Sequence, residues 1–248
     1  HSNLGLIFYH GGMFEEARIA YENAIQLNPS YPDAKYNLSF IQMFQEDYAS
    51  GLKNYEFRFR TNKAVKLHSE PKISKWEGKS LDKGEKLLII SEQGLGDTIH
   101  FMRYIPYLKQ KGYEVLFCAQ ECLHDLIKES GIDSNPLTPT QANLINKGKY
   151  FPLLSLPMHF GVTKDHPIVS APYISIRKEL IDKWGHVFEQ EKRPIVGISW
   201  QGNPKAEKGV VIGRSIPLET FSDLAQSDKY RFLSLQKGFG SEQLEDCS

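Results

Sequence analysis

The 248-residue chain is 40% hydrophobic and 24% charged, the balance of a soluble globular protein, and is long enough for one large or two ordinary domains. Thirty Lys and Arg against thirty Asp and Glu leave no net charge, so no global field gathers phosphates or anionic lipid, and nucleic acid is not an expected partner. No apolar run approaches the roughly 20 residues of a membrane span, no signal segment opens the chain, and Cys118, Cys122 and Cys247 lack disulfide-framework spacing; a soluble, cytoplasmic protein is expected.

The first sixty residues (1–60) hold an internal repeat. Asn3-Leu4-Gly5, Gly12, Ala17, Tyr21 and Ala24 recur 34 residues on as Asn37-Leu38-Ser39, Glu46, Gly51, Tyr55 and Arg58. Small residues at Gly5 and Ala17 let two helices approach, Tyr21 and Ala24 pack between them, and Pro29 stops the second helix. This first copy closely resembles a tetratricopeptide repeat. The second departs from the pattern, with Glu46 at the turn glycine and Arg58 at the packing alanine, which places it at the end of the solenoid. Its last helix keeps an apolar face of Tyr48, Leu52, Tyr55 and Phe59, at intervals of four, three and four. The run from Tyr55 to Arg60 interleaves aromatic and basic residues as nucleic-acid surfaces do, but Tyr55 and Phe59 are needed for the helix core. A continuous solenoid core needs three or more repeats, so further repeats are expected before His1, and the chain reads as truncated there.

Residues 61–85 read as a polar connector anchored by Trp76. From Lys86 the pattern changes to alternating strands and helices: a strand at 86–91, a tight turn at 94–97, a helix at 98–111 bent by Pro106, a strand at 113–119 and a helix at 121–129. This order predicts a doubly wound parallel sheet, a Rossmann-like domain over 86–180. Segments 151–156 and 173–176 read as short strands, and 180–188 as a helix running into a linking segment, 181–193. From Pro194 the grammar restarts with a strand at 194–200, a polar loop at 201–214, a helix at 217–226 and a strand at 230–235. Such a domain needs about 100–150 residues. Only 55 remain from position 194, so the second Rossmann-like domain (194–248) is expected to be partial. The expected fold class is α/β with helical hairpins at the N-terminus.

The sharpest motif is Glu92-Gln93-Gly94-Leu95-Gly96-Asp97. Glycines after a parallel strand allow positive φ and close backbone approach, and the helix that follows offers free N–H groups to an anion or polar substrate. A nicotinamide fingerprint fails, because Ile99 stands where the third glycine belongs and Ala119-Gln120 where the ribose-binding acid belongs. A P-loop fails as well, since no Gly-Lys-Ser/Thr follows. Asp97 has two readings: a helix N-cap, or a general base at the mouth of a cleft. His100, near the same helix edge, reads either as a surface residue or as an alternative base or acceptor contact. Cys118 and Cys122 with His124 read as a buried strand cysteine and a helix-start cysteine rather than as a metal site. In the second half Gln201-Gly202-Asn203, Arg214-Ser215 and Gln236-Lys237 all fall on the carboxyl edge of the predicted sheet, where open α/β sheets bind ligands. Arg214 or Lys237 there would neutralise a departing diphosphate, and Ser215 with the following helix N-terminus would hold it; otherwise Arg214 is a solvated charge and Ser215 a cap.

The segment from Ser91 to Thr98, followed by Phe101, Arg103-Tyr104 and Pro106, then Ser155-Leu156-Pro157, Ser199 to Pro204, Arg214 to Pro217 and Ser234 to Gly238, resembles the bacterial tetratricopeptide-repeat glycosyltransferases. Their catalytic region is similar to the heptosyltransferase-like GT-B family and their architecture to the O-linked N-acetylglucosamine transferases. The resemblance implies a GT-B fold, with an acceptor-side domain followed by a nucleotide-sugar domain. It implies an inverting transfer needing no cofactor and no metal, and the chain also lacks an Asp-x-Asp metal motif. On that pattern Asp97 is the base; Gln93, Gly94, Gly96 and Arg103 belong to the acceptor side; Gln201, Gly202, Asn203, Arg214, Ser215, Gln236 and Lys237 belong to the donor side. The implied partners are a nucleotide sugar and an acceptor protein or glycan recruited by the repeats. The alternative from another class is a non-catalytic repeat module that binds a protein, joined to a structural α/β domain.

Overall fold

The computed structural model describes residues 1–169, 171–204, 207 and 215–245. The chain forms two compact units, 1–176 and 177–248.

The first unit opens with four helices: α1 (Ser2–His10), α2 (Phe14–Leu27), α3 (Pro32–Phe44) and α4 (Tyr48–Tyr55). Ala17, Tyr21 and Ala24 of α2 and Ala34, Leu38 and Ile41 of α3 form a core against which Phe8 and Tyr9 of α1 pack. Gly5 is required by close approach, since a Cβ there would sit 2.7 Å from the Tyr21 ring. The degenerate second copy still makes a hairpin. Glu46 takes the left-handed conformation of the turn glycine it replaces, with φ of 67° against 75° at Gly12. Asp47 then caps α4 through the Ser50 N–H at 3.1 Å. The expected continuation of the apolar face to Phe59 is not α-helical: α4 ends at Tyr55 and the chain tightens into a 3₁₀ turn over Glu56–Phe59, which carries Arg58 fully into the interior.

The connector contributes more than an anchor. Its Ser74–Lys75 forms β1, and Trp76, 3% exposed, packs edge-on to Tyr113 and Phe151 while its Nε1 donates to Lys79 O at 2.6 Å. Then come β2 (Lys86–Ile90), α5 (Leu95–Phe101), α6 (Tyr104–Gln110), β3 (Glu114–Cys118), α7 (His124–Glu129), α8 (Pro139–Asn143), β4 (Lys149–Pro152) and α9 (Leu156–His159). The four strands form an all-parallel sheet of order β1-β4-β2-β3. β2 is apolar without alternation because both of its faces are covered. Leu87 and Ile89 enter one core with Met102, Ile105, Leu108, Phe117 and Phe151, while Leu88 and Ile90 enter another with Cys118 and Ala142.

The single helix expected at 98–111 is two. Pro106 has no N–H for the Met102 carbonyl four residues back, so that carbonyl accepts from Ile105 N at 3.0 Å and the chain breaks at Met102-Arg103. The strand expected at 151–156 ends at Pro152 and turns into a 3₁₀ segment, Leu153–Ser155, and 173–176 forms no strand.

The second unit begins with α10 (Lys178–Phe188), followed by β5 (Ile195–Ile198), a 3₁₀ turn at Leu218–Phe221, α11 (Ser222–Ala225) and β6 (Arg231–Ser234). β5 and β6 pair in parallel. The helix expected over 217–226 is thus half 3₁₀. The architecture is mixed α/β: repeat-type helices and small parallel sheets.

Candidate functional site

In the first sheet β2 leads through α5 and α6 to β3 on one side, and β3 leads through α7 and α8 to β4 on the other side of β2. The direction of winding therefore reverses at β2, and residues 91–97 leave its carboxyl end at that switch point, the place where open sheets bind ligands.

The loop is built differently from its sequence pattern. Positive φ falls on Gln93 (62°), while Gly94 is extended at φ −85°, ψ 172°. Gly94 serves close approach: its N–H donates to Asp97 Oδ2 at 2.9 Å, and a Cβ there would lie 3.1 Å from that oxygen. At Gly96 an added Cβ would meet nothing within 4 Å, so this glycine leaves open space beside the loop. Asp97 is therefore a helix cap in the free protein, and one of the N–H groups expected to be free is occupied by it. His100 stands at the surface with one edge of its ring packed on Phe101; that partial desolvation and then the charge of Arg103 hold its pKa below the ordinary imidazole range. Arg103 donates to His100 O at 2.7 Å and to Tyr173 OH at 3.2 Å, and Tyr173 OH donates to Ile99 O at 2.9 Å. Asp97, His100 and Arg103 thus occupy one short stretch, half-buried or exposed, around the loop.

What sequence reasoning missed is the support beneath the loop. Arg58 and Glu92 are both fully buried. Arg58 Nε and Nη2 donate to Glu92 Oε1 at 3.0 and 2.7 Å, Nη1 donates to Glu56 Oε1 at 2.6 Å, and Nη2 also donates to Ser155 Oγ at 2.8 Å. Ser155 Oγ donates onward to Glu56 Oε1 at 2.7 Å, and the guanidinium lies over the rings of Tyr55 and Phe59 at 4.5 and 4.1 Å. Burial works against the Arg58 charge, but Glu92 and Glu56 outweigh it and raise its pKa. Glu92 is less well compensated, because Oε2 is buried without a partner; burial pushes its carboxyl up to about 7 against the opposing pull of Arg58. Three further groups hold the same loop. Gln93 Nε2 donates to Tyr55 OH at 2.6 Å, His68 Nδ1 lies 2.8 Å from Ser91 Oγ while its backbone N donates to Ser91 O at 3.0 Å, and Thr98 Oγ1 donates to Gln120 Oε1 at 2.8 Å. The legible signal was an arginine where a repeat wants alanine, flanked by Tyr55 and Phe59, together with a glutamate directly after an apolar strand.

At the corresponding edge of the second unit the polar side chains serve the chain itself. Gln236 Oε1 accepts from Ser199 Oγ, Trp200 N and Gln201 N at 3.0, 3.1 and 3.0 Å, and Nε2 donates to Gln201 O at 2.9 Å and Phe239 O at 2.5 Å. With both amide protons and the oxygen engaged, Gln236 ties the ends of β5 and β6 together instead of facing a donor. Gln201 Oε1 accepts from Gln243 Nε2 at 2.9 Å. Ser215 Oγ accepts from Gly202 N at 3.0 Å and donates to Glu207 Oε2 at 2.5 Å. Asn203 and Lys237 are exposed, and Arg214 lies outside the described residues. Clefts occur elsewhere: one of about 430 Å³ sits at the amino ends of β2 and β3, the edge opposite the glycine loop. Among the described residues no group of three or more His, Cys, Asp or Glu is placed to hold a metal ion, and no helix is long and apolar enough to cross a membrane. Cys118 is buried, its thiol pushed up to about 12 by that burial, and Cys122 is exposed.

Residues 5–43 match the TPR repeat family. Two human proteins, Intraflagellar transport protein 70A and Intraflagellar transport protein 70B, are each 26% identical to the chain over 145 residues, 58% of this chain and 21% of theirs. The match thus spans about a fifth of the length of these relatives. No solved structure matches.

Proposed function

We propose that the helical hairpins of residues 1–59 recruit a protein partner. The observation that carries this reading is the TPR match over residues 5–43, which spans α1, α2 and α3 up to Met43, with α4 packed on α3 beyond it. It is supported by apolar side chains left at the surface of α1 and α3, where Ile7 is 65% and Phe44 70% exposed. A peptide library displayed against the whole protein tests it. Selected peptides lose affinity at least tenfold when Ile7 or Phe44 is changed to Asp and keep it when Asp97 is changed to Asn; the opposite pattern would sink the reading.

A second reading, that the α/β part is the acceptor half of an inverting sugar transferase, is favoured by one observation. Asp97 and His100 follow the carboxyl end of β2 at the switch point, with open space at Gly96. In that reading the resting Asp97 is a cap and serves as base only if an acceptor hydroxyl displaces or shares its Oδ2 contact with Gly94 N. The nucleotide sugar is then met by donor-side residues such as Lys237, and the acceptor is a protein or glycan recruited by the repeats. Calorimetric titration of UDP, GDP, ADP and CMP, each alone and as sugar conjugates, decides it: saturable binding of one, weakened by Lys237→Ala, is the expected result, and no binding by any leaves recruitment alone.

A further inference from the structure

We propose that Tyr55 and Arg58, at the end of the repeat segment, are positioning residues for the glycine loop, so that the last repeat turn sets the shape of the candidate ligand site in the α/β domain. The inference rests on reading residues 93–97 as that site, and it gives the repeats a second task beside recruitment. Tyr55 OH accepts the Gln93 side-chain amide at 2.6 Å, and Gln93 is the residue that takes positive φ, a conformation a glutamine holds only when its surroundings over-determine it. Arg58 grips the preceding residue, Glu92, with two hydrogen bonds at 3.0 and 2.7 Å. Its third grip, on Ser155 at 2.8 Å, anchors it to the 3₁₀ turn after β4, the strand beside β2. The two successive residues that launch the loop are thus held from the repeat side, Glu92 by an ion pair and Gln93 by a hydrogen bond. Downstream, among the described residues, Gly94 N to Asp97 Oδ2, Thr98 N to Gly94 O and the weaker Thr98 Oγ1 to Gly94 O close the loop on itself, and from the α/β side Gln120 donates weakly to Gln93 O at 3.5 Å and accepts from Thr98 Oγ1. A degenerate repeat that exists only to end a solenoid needs no buried arginine where the first copy has Ala24.

The test is amide hydrogen exchange of the free whole chain, read at Gly94 and Thr98 and, as reference, at Leu88 and Phe117 in β2 and β3. Tyr55→Phe keeps the ring packed on Tyr36 and Phe40 and removes only the hydroxyl. It is expected to speed exchange at Gly94 and Thr98 about fivefold, the loss of one ordinary hydrogen bond, with Leu88 and Phe117 unchanged. Gln93→Ala should match it, and the double variant should add nothing further. Arg58→Lys, a milder change than Arg58→Met should the latter fail to fold, should give the same loop-confined acceleration. Unchanged exchange at Gly94 and Thr98 in Tyr55→Phe, or acceleration spread equally to the reference amides, would overturn the proposal. Because no ligand enters this measurement, its failure is distinct from failure of the nucleotide titration, which bears on whether the loop is a site at all.

Discussion

At residue scale the arginine at position 58 is the largest departure from a repeat's own needs. In the first copy Ala24 fills the equivalent place with 6% of its surface exposed; in the second, Arg58 brings a charge into the interior and must be answered by Glu56, Glu92 and Ser155. Such a network is costly to break from one side: Arg58→Met should destabilise by about 3–5 kcal/mol because two carboxylates lose their partner. Glu92 adds a pH dependence of definite sign. Its carboxyl titrates near 7 in the fold against 4.5 as the ordinary value, so the folded state binds the proton more tightly than the unfolded chain between those values. The associated stability is full below the ordinary value and is lost as pH rises through about 7. The groups facing it are Arg58, Glu56 and Lys75. Urea unfolding from pH 5 to 8 should therefore show the wild type falling by about 2 kcal/mol relative to Glu92→Gln. Parallel curves would contradict the burial argument. Residue patterns placed Asp97 at the N-cap of a helix from 98, whereas the helix opens at Leu95 with Gly94 as N-cap and Asp97 caps it from the third helical position; they also misplaced positive φ, because a glycine's permissiveness shows where the left-handed region is easy, whereas Gln93 is driven there by contacts from residues far away in the chain.

At element scale the 34-residue repeat makes an internal experiment. Leu38 and Ile41 of α3 are 4% and 0% exposed because α2 packs on them, whereas their counterparts Leu4 and Ile7 of α1 are 45% and 65% exposed. The same side chains at the same repeat positions should then differ in worth. Leu38→Ala or Ile41→Ala is expected to cost about 2–4 kcal/mol by cavity formation, and Leu4→Ala or Ile7→Ala less than about 0.5 kcal/mol, measured by denaturant unfolding. Equal losses at both pairs would mean that α1 is covered as α3 is. Elements were legible where a local rule sufficed. The repeat spacing located the first hairpin, the apolar run at 86–91 located β2, and Pro106 gave a break although not its place, which is set by the carbonyl four residues back. The two-residue β1 was hidden because its pairing partner, β4, lies about 75 residues away and Ser-Lys carries no strand pattern.

At the scale of the whole molecule the two units are finished to different degrees. Residues 1–176 enclose three apolar clusters, with β2 covered on both faces. In the second unit Ile195 of β5 is 40% exposed and Leu235, just past β6, 61%, and α10 has no buried residue although Leu180, Ile181, Trp184 and Val187 share its apolar face. This matters for function, since a donor site needs donor-side groups aimed outward. Gln201, Ser215 and Gln236 instead spend their hydrogen bonds on the loops that carry them. The motif order along the chain was readable from sequence because it is one-dimensional; which polar groups remain for a ligand was not, because that depends on pairings such as Gln236 with Ser199 that span 37 residues. The recruitment reading rests on the repeat helices of the first unit. It is tested most directly by titrating a selected peptide into isotope-labelled whole chain and mapping the amide resonances that move. The account predicts saturable shifts centred on residues 1–59, extending into the α/β part only at Gln93 and Gly94 beside Tyr55. Shifts confined to the α/β part with the helices silent would contradict it.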